Sequence, residues 1–317
     1  MQAERSSLEL HFIGHSGFLC ETESCFLLFD YFEGEIPPMP GEKPVFVFAS
    51  HAHYDHFNEE IFSLSEQYGR QRVQYVLSSD IDDIDDIRER LGERIAFMGP
   101  HEARTFSIGG VEGAKRQLCV KTLRSNDSGV AWLLEADGRR IYHAGDLQLW
   151  DWPGEPEADN LHYRETYEEE LRFLRHMLDG EMTAGQTDAV GRGFPAAALS
   201  GQERAASRQE RLADSAGAGT EVSSAAAETA APPGSVYDLD LAMLVLDPRQ
   251  EQSAYLGIDA FLSKFRTHYA VPMHSFGQYS INEAYRTHLQ KLRDDGELAA
   301  DTMYLPVSRA GQCMKLL

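Results

Sequence analysis

Ser50-His51-Ala52-His53-Tyr54-Asp55-His56 gathers four strong ligands for first-row metals, three His and one Asp, into one short stretch. It follows directly on Pro44-Val45-Phe46-Val47-Phe48-Ala49, an apolar run that reads as a buried strand. A strand end holds side chains stiffly, so the cost of ordering the ligands has already been met by the scaffold. His51 and His53 are two apart and point the same way on an extended backbone. If the chain then turns into the helix suggested by Asn58-Glu59-Glu60-Ile61-Phe62, Asp55 and His56 reach a second, adjacent ion. Neutral imidazole and carboxylate together suit zinc, with manganese or iron as alternatives. A His-rich surface turn that binds nothing is the bland reading. Three His and one Asp at this spacing, straight after a buried-strand pattern, argue against it.

His51-Ala52-His53-Tyr54-Asp55-His56 resembles the H-x-H-x-D-H signature of the metallo-β-lactamase-fold hydrolases. The resemblance implies an α/β fold, a four-layer αβ/βα sandwich with two metals in a groove at one edge of the sheets. Later segments resemble the family's in order. Val130 to Arg140 reads as a β-hairpin turning at Asp137-Gly138, followed by Ile141-Tyr142-His143-Ala144-Gly145-Asp146. Asp146 falls where the family keeps the aspartate that bridges both metals. Tyr269-Ala270-Val271-Pro272-Met273-His274 is a short strand ending in the histidine that matches the last ligand of the second metal. On this correspondence His51 and His53 hold the first ion, Asp55, His56 and His274 the second, and Asp146 bridges. The opening segment Leu10-His11-Phe12-Ile13-Gly14-His15-Ser16-Gly17-Phe18-Leu19 resembles the first strand of the branch that contains the ascorbate-6-phosphate lactonases. The resemblance covers residues 1–178 and 236–317, which are expected to form a single domain.

One family ligand has no obvious counterpart. The third histidine of the first metal belongs just before the strand leading to the bridging aspartate, where this chain reads Leu123-Arg124-Ser125-Asn126-Asp127-Ser128-Gly129. Counting back from Gly129 puts Asn126 at that position, whereas ligand chemistry favours Asp127. An aspartate there makes the site harder and more negative, which shifts preference toward manganese or iron. The alternative is a plain turn held by Asx hydrogen bonds.

The remaining composition narrows the function classes. A chain of 317 residues, 42% hydrophobic, can build one large α/β sandwich with an insert. No run approaches the roughly 18–20 apolar residues of a membrane span. Met1 to Ser6 lacks the basic and apolar regions of a signal peptide, and Cys20, Cys25, Cys119 and Cys313 are scattered. They read as reduced thiols of a cytoplasmic protein, neither a disulfide framework nor a structural zinc site. The net charge of −22 argues against nucleic acid as partner, because phosphate contacts need a basic footprint. Asp80, Asp82, Asp83, Asp85 and Asp86 interleave with isoleucines at helical spacing and read as a solvated helix face. From Gly180 to Ser235 the chain holds 15 alanines, 8 glycines and a single aromatic, Phe194. Such a stretch buries too little apolar surface to offset its ordering, so 179–235 is expected to be a flexible, disordered insert.

Helices are predicted over 57–69, 80–92 and 161–178, and a β-meander over 104–135 broken at Gly109-Gly110. Arg249, after the apolar strand that ends at Leu246-Asp247, either binds an anionic group of the substrate or pairs with Asp247 to shape the loop. His15 is a candidate donor near the groove or a satisfied core histidine. His143 faces away from Asp146 on a strand, His268 reads as loop surface, and Trp150 and Trp152 either line the pocket or cap the sandwich. The resulting expectation is a dinuclear metal-dependent hydrolase of a small, anionic ester, lactone or phosphodiester, using a metal-activated hydroxide with Asp55 as the proton carrier. Zn2+ is the expected ion, with Mn2+ or Fe2+ as alternatives. The competing readings are a nuclease or phosphodiesterase acting on nucleic acid, a flavodiiron-type redox protein, and a metal-binding protein of reduced activity. His53 stands where the flavodiiron pattern has glutamate, and no fused flavin domain is evident.

Overall fold

Val45–Ala49 shows why the chain builds two covered sheets. Val45, Val47 and Ala49 belong to one apolar cluster, whereas Phe46 and Phe48 belong to another. Successive strand side chains leave on opposite faces, so this strand is buried on both. The computed structural model describes residues 8–82, 84–108, 116–180, 237–298 and 301–316. The predicted insert, apart from Asp179 and Gly180, lies outside the described residues, as do Asp83 and the Gly109-Gly110 break.

The first sheet contains β1 (Leu8–Gly14), β2 (Gly17–Glu21), β3 (Phe26–Phe29), β4 (Val45–Ala49), β5 (Val73–Ser78) and β6 (Ile95–Met98). The second contains β7 (Ala103–Ser107), β8 (Gln117–Arg124), β9 (Val130–Ala136), β10 (Arg139–His143), β11 (Leu239–Val245), β12 (Thr267–Met273) and β13 (Met303–Tyr304). The final strand, β14 (Gln312–Leu316), returns to the first sheet and pairs antiparallel with β1. The orders are β14-β1-β2-β3-β4-β5-β6 and β13-β12-β11-β10-β9-β8-β7. In each sheet an antiparallel half gives way to a parallel half, β3 to β6 in the first and β10 to β13 in the second. The β9–β10 hairpin turns at Asp137 and Gly138, both at positive φ (51° and 70°), the backbone of a type I′ turn.

Rings from the two sheets interlock between them. Phe48 packs on Trp132 at 5.4 Å between centroids, Phe46 on Phe106 at 5.6 Å, and Phe29 stacks on His143 at 5.1 Å. Burying one such ring contributes roughly 1.5–3 kcal/mol relative to leaving it exposed. The outer face of the first sheet is covered by the 3-10 turn Glu59–Ser63, α1 (Leu64–Gln67) and α2 (Asp85–Leu91), through Ile61, Phe62, Leu64 and Leu91. Helices α3 (Glu157–Leu178), α4 (Leu256–Lys264) and α5 (Ser280–Asp294) supply Tyr167, Leu171, Phe261 and Tyr285 to the core of the second sheet. Tyr142, next to inward-facing His143, stacks outward on Phe261 at 5.0 Å. The layers run helix, sheet, sheet, helix, as the resemblance implied.

Two expected helices are shorter than predicted. Over 57–69 the chain forms the 3-10 turn and the four-residue α1, entered through Asn58, whose side chain accepts the Glu60 N–H at 2.9 Å. Over 80–92 only Asp85–Leu91 is helical. Asp80 stands before that helix and accepts the Ala52 N–H at 3.1 Å. It tethers the His-rich loop and is no part of a solvated helix face. The predicted third helix begins earlier, at Glu157.

Candidate metal centre

The candidate ligands gather where strands end. Asp30 directly follows β3, His51 and His53 follow β4, Asp146 follows β10, Asp247 follows β11, and His274 directly follows β12. Parallel strands share an end, and the carboxyl ends of such strands are where open α/β sheets hold ligands. Asp146 is the centre of the arrangement. Its Oδ1 lies 3.1 Å from His56 Nε2 and 3.4 Å from His274 Nε2, while its Oδ2 lies 3.4 Å from His51 Nε2. His53, Asp127 and Asp146 form one group whose ligand atoms lie within 4.8 Å of one another; His15, Asp55, His56 and His274 form another. His51, His56 and Asp146 form a third group, which links the two.

The donor set suits divalent cations. Among the described residues, His15 Nε2, His51 Nε2, His56 Nε2, His274 Nε2 and Asp146 Oδ1 are buried with no hydrogen-bond partner. Each buried orphan costs about 1–3 kcal/mol, a cost that cations held among them would offset. Burial pushes the Asp146 carboxyl up, but the facing His56 and His274 charges and the His51 contact reverse this and hold it well below the usual carboxylate range. Burial likewise opposes a charge on His56, yet Asp146 and then Asp30 outweigh it and raise its pKa well above the ordinary value. The same negative field would favour a divalent cation.

Behind the ligands, two buried aspartates set the rings. Asp30 Oδ2 lies 2.8 Å from His56 Nδ1 and accepts the Ser50 hydroxyl at 2.6 Å, while Asp30 Oδ1 accepts the Ser50 N–H. Ser50 Oγ in turn stands 2.9 Å from His51 Nδ1. Asp247 Oδ2 lies 3.2 Å from His274 Nδ1. With a proton on each Nδ1, all three rings present an Nε2 lone pair to the centre, which is how carboxylates behind metal-binding histidines fix the tautomer. His15 Nε2 lies 3.3 Å from Asp55 Oδ2. Burial raises the Asp55 carboxyl, but the adjacent His15 ring and the His56 charge more than compensate and hold it low.

The loop before β9 separates the roles of Asn126 and Asp127. The Asn126 amide donates to the carbonyls of Gln148 (2.8 Å) and Tyr163 (3.2 Å), and its Oδ1 accepts the Gln148 N–H. It is a structural tie. Asp127 stands at the rim beside His53, where desolvation among protein atoms and the Asp146 charge raise its pKa. Gly129 makes this placement possible. At φ 65°, a Cβ there would sit 2.0 Å from the Ser50 carbonyl oxygen. The loop therefore lies directly on the backbone of the His-rich segment, and Val130 donates to Ser50 O at 2.9 Å. Four non-glycine residues around the centre also hold positive φ: His15 (51°), Asp30 (40°), His274 (66°) and Phe276 (47°). Such conformations cost of order 1–3 kcal/mol each and persist only where surrounding contacts enforce them.

Arg249 forms the pair with Asp247 that was one of its two expected roles. Its Nε lies 3.0 and 2.9 Å from the two carboxylate oxygens, and its Nη2 lies 2.5 Å from Oδ2. The guanidinium is half exposed and lies over the rings of Phe276 (4.1 Å) and Trp152 (5.5 Å). Trp150 stacks on Trp152 and donates its indole N–H to the Asp146 carbonyl at 3.1 Å. The tryptophans therefore back the centre and reach its rim. His143 donates nothing to the centre: its Nε2 meets the Ser16 carbonyl at 2.9 Å between the sheets. His268 lies on β12 and stacks on Tyr237, so it is no loop residue. Sequence reasoning passed over Asp30, Ser50 and Phe276. A signal for Asp30 was present, since Leu27-Leu28-Phe29-Asp30 repeats the apolar-run-to-aspartate pattern of Leu244-Val245-Leu246-Asp247.

Residues 9–150 match the family model described as the beta-lactamase superfamily domain. A UPF0173 metal-dependent hydrolase of Korarchaeum cryptofilum is 32% identical over 147 residues, which are 44% of this chain and 60% of that protein. The match thus spans less than two thirds of the archaeal relative's length. Igni18, a metallo hydrolase from Ignicoccus hospitalis, has a similar fold, with a TM-score of 0.50 at 13% identity over 98% of both chains. The metallo-β-lactamase fold protein YhfI of Bacillus subtilis aligns over 98% of this chain and 99% of its own, with a TM-score of 0.45 and 11% identity. Residues 9–150, which carry the His-rich loop and Asp146, thus match a β-lactamase superfamily domain, and the two-sheet α/β architecture is consistent with the metallo-β-lactamase fold.

Proposed function

We propose that this chain is a dinuclear metal-dependent hydrolase acting on a small, anionic ester, lactone or phosphodiester. The observation that carries the reading is the division of Asp146 between two ligand groups, Oδ2 toward His51 and Oδ1 toward His56 and His274. In this reading His51, His53 and Asp127 would hold one ion, Asp55, His56 and His274 the other with His15 beside them, and Asp146 would serve both. Divalent ions there would lower the pKa of a water toward neutrality and polarise the substrate oxygen. Zinc suits the imidazole-rich group, and Asp127 in place of a third histidine draws the other toward manganese or iron.

The chain's own residues do the rest. Asp30 and Asp247 orient the imidazoles through Nδ1, so that no ring must turn during turnover. Asp55, held ionised at neutral pH, accepts a proton from the attacking water and passes it to the leaving group. Arg249 keeps Nη1 outside its pair with Asp247, free to meet a carboxylate or phosphate of the substrate. Trp152 and Phe276 flank that guanidinium and shield the bound group from water. The net charge of −22 disfavours a long polyanion and favours a small one. Likeness of residues 10–19 to the lactonase branch tilts the choice toward a C–O bond in a sugar acid or phosphorylated metabolite.

The test is a panel of lactones, esters and phosphodiesters assayed before and after chelation. Turnover should vanish with chelator and return with zinc or manganese. Turnover indifferent to chelation contradicts the proposal, and cleavage confined to nucleic acid replaces it with the nuclease reading.

A further inference from the structure

Away from that centre, three potential ligands converge on the outer face of the first sheet. Cys313 on β14 is the direct cross-strand partner of His11 on β1, and Glu9 stands two residues from His11 on the same face. His11 Nε2 lies 2.8 Å from Glu9 Oε1, and Cys313 Sγ lies 3.6 Å from that oxygen and 3.8 Å from His11 Nε2. We propose that Glu9, His11 and Cys313 form a separate surface site for a late first-row divalent ion, zinc foremost.

The geometry comes close to what such an ion requires. Metal–ligand bonds of about 2.0–2.3 Å at tetrahedral angles place the ligand atoms about 3.4–3.6 Å apart. Both sulfur distances already approach that spacing. The His11–Glu9 contact needs only to open by a fraction of an ångström, a small side-chain rotation at these half-exposed positions. Two paired strands hold all three residues, so little ordering remains to be done on binding. One thiolate, one imidazole and one carboxylate give the mixed donor set that zinc accepts, with the fourth position open to solvent. Binding replaces the thiol proton of Cys313, which passes to water, and the affinity therefore rises with pH. The ion would also clip the edge strand β14 to β1, since anything bound only to the folded state stabilises it.

This inference does not depend on the hydrolase reading, because the two sites differ in donor chemistry. The candidate metal centre contains only imidazole and carboxylate groups, whereas the surface group contains sulfur. Cobalt(II) is therefore the probe: only a thiolate ligand adds an intense near-ultraviolet sulfur-to-cobalt absorption. Titrating the stripped full-length chain should give this band, growing to one equivalent per chain. It should disappear in Cys313→Ser and weaken strongly in His11→Ala, yet persist in His51→Ala. Alkylation of Cys313, followed by peptide mass, should slow at least tenfold once zinc is added. No charge-transfer band, a band seen only in large cobalt excess, or one that survives Cys313→Ser overturns the assignment.

Discussion

Asp30 is fully buried and reaches three groups of the His-rich loop at once: the Ser50 N–H, the Ser50 hydroxyl and His56 Nδ1. Burial raises its carboxyl, but His143, the His56 hydrogen bond and the charges of His56 and His51 together hold it low and ionised. Asp30→Asn keeps the volume yet turns one acceptor into a donor aimed at an N–H or at the Ser50 hydroxyl. The imidazole of His56 then loses its fixed tautomer. The expected outcome is a 10–100-fold loss of metal affinity in Asp30→Asn, measured by competition with a chromophoric chelator, with the far-ultraviolet circular dichroism retained. Unchanged affinity would show that Asp30 only packs the loop.

At the scale of elements, the centre depends on how closely one loop approaches another. The segment 125–129 lies on Ser50 and His51, and Gly129 leaves no room for a side chain: a Cβ would stand 2.6 Å from His51 Cβ as well. Backbone obstructs the Cβ, so no rotamer change relieves it. Gly129→Ala should lower stability by about 3 kcal/mol or more in denaturant unfolding, placing it in the diagnostic tail of point mutants. A loss under about 1 kcal/mol would mean that the two loops can separate.

Elsewhere α3 is tied to the sheet through a paired carboxylate. Arg175 donates through both terminal nitrogens to the two oxygens of Asp238 at 2.9 Å each, and the Arg266 N–H adds 2.8 Å. Burial raises the Asp238 carboxyl, but these donors outweigh it and lower its pKa. A depressed carboxylate contributes stability above its unfolded pKa of about 3.9 and loses that contribution as pH falls through the lower folded value. Asp238→Asn should therefore cost about 1 kcal/mol at pH 7, and the difference should shrink below about pH 4. A deficit that is constant from pH 7 to pH 3 would assign the effect to packing.

Across the whole molecule, what was legible in the sequence tracks how local each signal is. The H-x-H-x-D-H loop lies within one short stretch, and its preceding strand announces itself by apolar content. The fold class and the places of Asp146 and His274 followed from the family resemblance that this loop opened. Which histidine each supporting aspartate meets was not legible, because Asp30 meets His56 across 26 residues and Asp247 meets His274 across 27. Strand pairing alone brings them together. The choice between Asn126 and Asp127 also needed the fold, since one points to α3 and the other to His53. Cys313 and His11 stand 302 residues apart and meet only because the last strand closes on the first. Short helices misled in the opposite direction: the acidic isoleucine pattern is helical in spacing, yet only one part of it winds and Asp80 serves the loop.

The central claim is that Asp146 joins two metal sites. Its most direct test is the metal content of the full chain carrying Cys313→Ser, which removes the surface thiolate from the count. Loaded with zinc and freed of excess, that protein should retain two equivalents per chain, and the further change Asp146→Ala should reduce this to fewer than one. One equivalent or none before the change, or two equivalents surviving it, would contradict the account.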